Sequence, residues 1–355
     1  CHLDYTGLAG LIPPPRRFTD WIQALVALKA GWSQADFFES WTRGAQMLLR
    51  TGTTTVADME ALPALPPATW QATPLRVISF RELICLKDPL TTRGMFAEAV
   101  ARWAALGKRR RTGLCPHAPY TTTPELLRLA AGVARRRRWR LSTHVAESED
   151  EFRMFKERRG PLFDWLKPQR DMDDCGRGSP VRHLERCGYL SDHLIAVHVN
   201  YLDDGDAGLL GQRQTHVVHC PRSHAYFGHA SFPYADLEAA GVNLCLGTDS
   251  LVSTRKERSK PLELNMFKEM GAFAERHPEV APAAILRLAT INGARALGAT
   301  GELGQLAAGA LADLIAIPFP DGKTEPCAAA IHHEGPVTAA MINGQWIIPP
   351  PCASS

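Results

Sequence analysis

Four short segments of the chain end an apolar, strand-like run with a residue that can hold or serve a metal ion. These residues are His2 in Cys-His-Leu-Asp, His144 and Glu147 in His-Val-Ala-Glu, His198 in Val-His-Val-Asn, and Asp249 in Gly-Thr-Asp-Ser. Imidazole nitrogens and carboxylate oxygens are the ligands of Zn²⁺ or Fe²⁺ centres that keep one position open for water. One such histidine is more often a structural residue, but their recurrence at strand ends predicts a metal-assisted active site.

The elements that must position these residues follow a repeating pattern of strand and helix. Helical patterns cover residues 124–134, 236–240 and 262–275, among others. Strands that alternate with helices predict a parallel sheet. The apolar runs end near Asp58, Glu82, His117, His144, His198, Cys220 and Asp249. With one more strand expected before His2, eight units predict a (β/α)₈ TIM-type barrel. An open, doubly wound sheet is the competing architecture, but no glycine-rich phosphate loop follows an early strand.

The sequence changes character after about residue 300. Residues 301–309 are rich in glycine and alanine, and two short apolar runs then flank Asn343-Gly344, a strong hairpin signal. We therefore predict a barrel over residues 1–300 and the C-terminal part of a composite β-sandwich over residues 301–355. Cys1 already lies in a motif that follows a strand, so we expect the N-terminus to be truncated and the first strand to lie upstream.

Composition sets broader limits. The 355 residues are 45% hydrophobic, which is enough for one large core and a small appendage. The net charge of +3 does not indicate nucleic-acid binding, and we interpret the basic runs at 108–111 and 135–138 as solvated helix ends. No apolar run is long enough to span a membrane. Nine cysteines without a paired pattern, and no signal peptide, predict a cytoplasmic protein with reduced thiols. We expect a small-molecule substrate and neither a nucleic-acid nor a membrane partner; a homodimer is left open.

Taken together, the motifs resemble those of the amidohydrolase superfamily. The similarity is to the branch of cytosine/adenosine-type deaminases and triazine (ATZ/TRZ) chlorohydrolases, and it runs from residue 1 to about residue 348. The family's first motif is His-x-His, of which His2 is the second histidine; the first would fall one residue before Cys1. The segments that carry the resemblance are Cys-His-Leu-Asp, Gly-Thr-Thr-Thr-Val-Ala-Asp, Pro-His-Ala-Pro-Tyr-Thr, His-Val-Ala-Glu-Ser, Val-His, Val-His-Cys-Pro-Arg-Ser and Leu-Gly-Thr-Asp-Ser.

The resemblance implies a role for each strand-end residue. His2, His144 and Asp249 would hold one divalent metal ion, Zn or Fe, and such an ion can lower the pKa of a bound water from about 15.7 to roughly 7. Asp249 would also accept the proton of that water and pass it to the leaving amine. Glu147 resembles the general acid/base of the family. His198 resembles the residue that orients the attacking water or polarises the bond under attack.

Four more polar residues are candidates for binding the substrate. His117 and Glu82 lie at the ends of neighbouring apolar runs and could anchor its polar groups. His219 and His224 are the better candidates among the four histidines between residues 216 and 229.

The predicted function is the hydrolytic deamination of an amino-substituted heterocycle or nucleoside, with release of ammonia. The segment that begins at Cys220 and the first loop are most similar to members that deaminate purine nucleoside-like compounds such as aminodeoxyfutalosine. One alternative is a chlorohydrolase, or another cyclic-amidine or amide hydrolase, that uses the same metal-bound water. Another is a non-catalytic homologue or scaffold, which the presence of both Glu147 and Asp249 disfavours.

Overall fold

Seven parallel strands curl into a half-barrel surrounded by helices in a computed structural model of the chain. The structure describes residues 1–14, 17–62, 65, 67–86, 89–106, 112–256, 261–319 and 324–351. Each strand pairs with the next one along the chain, as a TIM-type barrel requires. The strands are β1 (Thr55–Glu60), β2 (Arg76–Leu83), β3 (Thr112–Pro116), β4 (Arg140–Val145), β5 (Leu194–His198), β6 (His216–His219) and β7 (Asn243–Leu246).

Most of the helices follow a strand, and the sequence sets their ends. The helix predicted over 262–275 begins instead at Met266, because the Asn265 side chain accepts hydrogen bonds from the amides of Phe267 and Lys268 and so caps the first turn. The helices are α1 (Phe18–Lys29), α2 (Gln34–Arg50), α3 (Ala68–Gln71), α4 (Pro89–Ala105), α5 (Pro124–Arg137), α6 (Glu149–Glu157), α7 (Pro161–Leu166), α8 (Pro180–Arg186), α9 (Asp206–Gln212), α10 (Pro221–Phe227), α11 (Tyr234–Ala239), α12 (Met266–Arg276), α13 (Pro282–Leu288), α14 (Ile291–Ala296) and α15 (Pro326–Ile331).

The helices test two predictions, on the basic runs and on a membrane span. Residues 135–138 are exposed where α5 ends, as a solvated helix end should be, whereas 108–111 lie outside the described residues. Over the described ranges, no helix combines the length and the apolar character needed to cross a bilayer.

The first two residues of the chain connect the two edge strands of the half-barrel. The amino group of Cys1 donates to the Ala57 carbonyl at 3.1 Å, and the Met59 amide donates to the Cys1 carbonyl at 2.9 Å, so Cys1 extends the ladder at β1. The His2 amide donates to the Asp249 carbonyl beyond β7 at 3.4 Å. His2 is thereby held at the same end of the strands as Asp249.

A small antiparallel sheet follows the half-barrel. Its strands are β8 (Leu314–Ala316), β9 (Ala339–Ile342) and β10 (Gln345–Ile348), with β9 in the centre. The predicted hairpin between β9 and β10 is confirmed, since Asn343 and Gly344 take the positive φ values of 52° and 77° that a tight hairpin turn requires. An ion pair between Arg76 and Asp313 ties this sheet to β2. The domain boundary near residue 300 and the composite β-sandwich remain predictions.

An apolar cap lies among the loops that follow the strands. Phe18, Trp21 and Leu25 form the buried face of α1, at the spacing of an amphipathic helix. Trp21 meets the ring of Phe227 edge-on with centroids 5.0 Å apart, and Phe18 meets Tyr120 in the same way at 6.3 Å. The aromatic side chains of α1 are thus buried against residues that follow β3 and β6.

Candidate metal centre and active site

Three histidines from separate parts of the chain form a buried row at the C-terminal ends of the strands. His2 Nε2 lies 3.3 Å from His144 Nε2, and His144 Nδ1 lies 3.2 Å from His198 Nε2. Their rings are stacked, with interplanar angles of 14° and 26°. All three side chains are at least nine-tenths buried. The structure therefore brings together residues that are up to 196 positions apart in the sequence.

The geometry of His2 and His144 fits a shared metal ion. Two nitrogens bound to one tetrahedral zinc ion at about 2.0–2.1 Å lie about 3.3 Å apart, which is the separation of the two Nε2 atoms. Burial, together with the neighbouring His117, lowers the pKa of His144 to about 4. The imidazole is therefore neutral at pH 7, and neutral imidazole is the form that binds metals. These residues support a site for a divalent metal ion.

Asp249 supplies the negative charge of the site. Burial opposes ionisation of its carboxyl, but His198, His2 and His144 hold the pKa of Asp249 well below its usual value. Its Oδ2 atom accepts a hydrogen bond from Ser253 Oγ at 2.8 Å. Asp249 is therefore an anion beside three imidazoles, as a metal ligand should be.

The potential ligand atoms also fall into two compact groups, in each of which they lie within 4.8 Å of one another. One group is Glu82, His117 and His144, and the other is His144, Glu147 and His198. His144 belongs to both groups, whereas His2 and Asp249 belong to neither. His144 is therefore central to any metal site here.

Glu147 is a buried carboxyl beside His198. Its side chain is buried, and its Oε1 atom lies 3.6 Å from His198 Nε2. Burial raises the pKa of Glu147 well above its usual value, and the nearby charges of Asp249 and Glu151 raise it further. A buried carboxyl that resists ionisation and lies next to an imidazole is suited to general acid catalysis.

Strained turns hold these side chains in place. Ala146, His198, Val199 and Asp249 adopt left-handed backbone conformations with φ between 50° and 76°. This region is unfavourable for residues with a side chain, and especially for a β-branched residue such as Val199. Such conformations persist where the surrounding structure enforces them, often at functional sites. These left-handed conformations turn the backbone away from the strand direction at the residues that carry the polar side chains.

The candidate substrate-binding residues lie on two sides of this row. Glu82 and His117 group with His144, and His117 Nδ1 lies 2.7 Å from Thr121 Oγ1. Burial, Lys29 and His198 lower the pKa of His117 to about 3, so its ring is neutral.

On the other side, the rings of His219 and His224 lie 5.1 Å apart. His219 stacks on Phe232 at 3.8 Å, and His224 Nε2 donates to the Ala230 carbonyl at 2.8 Å. The Nδ1 atoms of both histidines are buried and have no hydrogen-bond partner among the described residues. Each of these rings can therefore offer one nitrogen to a ligand.

Sequence reasoning missed several residues that support the site. The Tyr5 ring stacks on His2, with centroids 5.2 Å apart and planes 8° apart, and Lys29 Nζ donates to its hydroxyl at 2.5 Å. Asp58 accepts from Trp41 Nε1 at 2.6 Å and from the Leu3 amide at 2.9 Å, which fixes the segment after His2. The position of Tyr5 one turn beyond His2 was the only sequence signal for its contact.

A cavity of about 680 Å³ reaches the site from the open side between β1 and β7. Its walls are mainly apolar, and it touches His2, His144 and Asp249. Glu147 and His198 do not line it. The cavity therefore approaches the metal side of the site and not the proposed proton donor, so we do not assign the substrate to it.

Comparisons with known proteins identify the family of the chain. The model of the amidohydrolase family matches residues 2–347. The 5-methylthioadenosine/S-adenosylhomocysteine deaminase of Syntrophobacter fumaroxidans is 32% identical over 97% of this chain and 76% of its own length. The chain covers 60% of a relative with the same name from Moorella thermoacetica, which is 33% identical.

Solved structures of related enzymes superpose on the chain. A Xanthomonas campestris adenosine deaminase with bound zinc superposes with a TM-score of 0.78 and 25% identity, over 97% of this chain and 77% of that one. Helicobacter pylori aminofutalosine deaminase shares the fold, with a TM-score of 0.83 and 17% identity over 98% of this chain and 84% of that one. The relatives that are named deaminases support a hydrolase of carbon–nitrogen bonds. Because the family model matches nearly the whole chain, the protein belongs to the amidohydrolase family.

Proposed function

We propose that this protein removes the amino group of an adenosine-like nucleoside by hydrolysis and releases ammonia. The observation that carries the proposal is the pairing of Glu147, a buried carboxyl with a raised pKa, with His198 beside the His2–His144 pair. This arrangement places a proton donor next to a candidate metal site, as attack on a ring C=N bond requires. The names of the relatives, which refer to 5′-modified adenosines, support a purine nucleoside.

We assign the metal to His2, His144 and Asp249, with zinc as the first candidate because a related adenosine deaminase carries it. An ion bound there supplies a hydroxide equivalent at neutral pH, since it lowers the pKa of a bound water to roughly 7. Asp249 accepts a proton and returns it to the departing amine. Glu147 would donate its proton to the ring nitrogen next to the carbon under attack, and it would regain a proton from the new hydroxyl on that carbon as the amine departs. His198 would orient the attacking oxygen.

The remaining polar residues would bind the substrate. Glu82 and His117 anchor polar groups on one side of the histidine row, and His219 and His224 offer free Nδ1 atoms on the other. No disulfide joins any of the eight cysteines that the structure describes, which supports the expected cytoplasmic location.

A substrate panel tests the proposal. Zinc-loaded protein is incubated with adenosine, 5′-deoxyadenosine, 5′-methylthioadenosine and S-adenosylhomocysteine, and with cytosine and a chlorotriazine for comparison, while ammonia and chloride are measured. We expect ammonia from at least one adenosine compound and none in the Glu147→Gln variant. Chloride release from the triazine alone would favour a chlorohydrolase, and no release from any compound would favour a scaffold.

A further inference from the structure

Glu151 is a buried carboxyl one helical turn beyond Glu147. Its side chain is 0% exposed, and its Oε2 atom accepts a hydrogen bond from the Glu147 amide at 2.9 Å. Burial raises the pKa of Glu151 to about 8, whereas the amides of Glu147 and Ala146 oppose that rise. Glu149, in the same turn of α6, leaves 67% of its side chain exposed. A carboxyl that served only the helix dipole could remain at the surface in the same way.

The hydrogen bonds of Glu151 differ from those of an ordinary capping box. At the start of α2, Ser33 accepts from the Asp36 amide, and the Asp36 side chain returns to the Ser33 amide at 2.7 Å. At the start of α6, Ser148 Oγ accepts from the Glu151 amide at 3.2 Å, but the Glu151 carboxylate passes Ser148 and bonds to Glu147. The acceptor is therefore directed to the active-site residue and not to the helix cap.

The carbonyl group of Glu147 is also held by a hydrogen bond. Asn200 Nδ2 donates to the Glu147 carbonyl at 2.9 Å, and the Asn200 amide donates to the Ala146 carbonyl at 2.9 Å. Asn200 follows the left-handed pair His198 and Val199, so the turns after β4 and β5 are bonded to each other. The N–H and C=O groups of Glu147 are thus both held by buried side chains.

We propose that Glu151 is a positioning residue, which holds the Glu147 backbone so that the Glu147 carboxyl meets His198 and the substrate. This inference rests on the proposed function, because it assigns Glu147 as the proton donor. Ala146 is left-handed at φ 50°, and without a fixed amide the turn after β4 can relax toward a favourable conformation. A displacement of about 1 Å in a catalytic group can lower turnover by roughly a hundredfold.

The test compares three variants of the zinc-loaded protein. Glu151→Met keeps the side-chain length but replaces the carboxylate with a thioether, which is only a weak hydrogen-bond acceptor. We expect kcat to fall by about ten- to a hundredfold, with little change in KM, zinc content or melting temperature. Glu151→Gln keeps an oxygen acceptor and should restore most of kcat. Glu149→Met is the matched control in the same turn, and its kcat should equal that of the wild type.

Two kinetic results would overturn the inference. One is an unchanged kcat in Glu151→Met, and the other is an equal loss in the Met and Gln variants together with a lower melting temperature, which would indicate a packing role. If the wild-type protein releases no ammonia from any nucleoside, the proposed function fails, and crystal structures of the two variants decide the inference separately. The 3.6 Å separation of Glu147 Oε1 and His198 Nε2 should change in the Met variant and be kept in the Gln variant. An unchanged separation in both would refute positioning by Glu151.

Discussion

The substitution Glu147→Gln tests the proposed proton donor. It preserves the shape of the side chain and its contact distance to His198, but an amide cannot donate or accept a proton as a carboxyl does. The Glu147 carboxyl is 6% exposed, and its pKa lies well above the usual value because of burial and the charges of Asp249 and Glu151. The substitution therefore places a neutral amide of the same size at a site that disfavours charge, and it should not disturb folding.

The size of the effect follows from the role. Loss of a positioned general acid or base lowers turnover by about 10²–10⁴-fold, equivalent to about 3–5 kcal/mol of transition-state stabilisation. Metal content should remain near that of the wild type, because His2 and His144 retain their separation of 3.3 Å without Glu147.

The assay measures ammonia release and bound zinc on the same preparations of wild-type and Glu147→Gln protein. Unchanged turnover in the variant would remove Glu147 from the mechanism. A fall in zinc content that matches the fall in turnover would instead make Glu147 a ligand, as its grouping with His144 and His198 allows.

Two further substitutions give different signatures. Asp249→Asn should lose both zinc and turnover, because it removes the anion beside the histidines; zinc content equal to that of the wild type would exclude Asp249 as a ligand. Glu269 is fully buried, and burial raises its pKa from the ordinary 4.5 to about 7 although Arg222 opposes the shift. Because the folded protein binds this proton more tightly than the unfolded chain, the stabilisation is present below pH 4.5 and is lost as the pH rises to about 7. In the Glu269→Gln variant the free energy of unfolding should therefore fall less over this pH range, by at most ~3 kcal/mol. Urea denaturation at several pH values measures this difference. The same pH dependence in both proteins would contradict the assignment.

Much of the fold could be predicted from local patterns. The alternation of apolar runs and helices indicated the order of β1 to β7, because buried parallel strands read as continuous apolar runs. Asn343-Gly344 located the hairpin through its backbone preference alone. The start of α12 was misplaced by four residues, since Leu262 and Leu264 continue the apolar pattern but Asn265 fixes the cap.

The site was predictable to the extent that strand ends meet at one face. His2, His144, His198 and Asp249 each follow a strand or an expected strand, and the structure brings them together. Contacts made through left-handed turns could not be predicted, because periodicity does not reveal a positive φ at a non-glycine residue. Glu151 is the clearest example: its spacing from Ser148 indicates a capping box, whereas its carboxylate bonds to Glu147.

The location of the metal ion tests the central claim most directly. Anomalous diffraction at the zinc absorption edge from crystals of the zinc-loaded protein would place the ion without reference to activity. The account predicts a peak at about 2.0–2.1 Å from the Nε2 atoms of His2 and His144, with the Asp249 carboxylate as a further ligand. A peak within the group of Glu82, His117 and His144 and away from His2 would contradict it, as would the absence of a peak at any of these histidines.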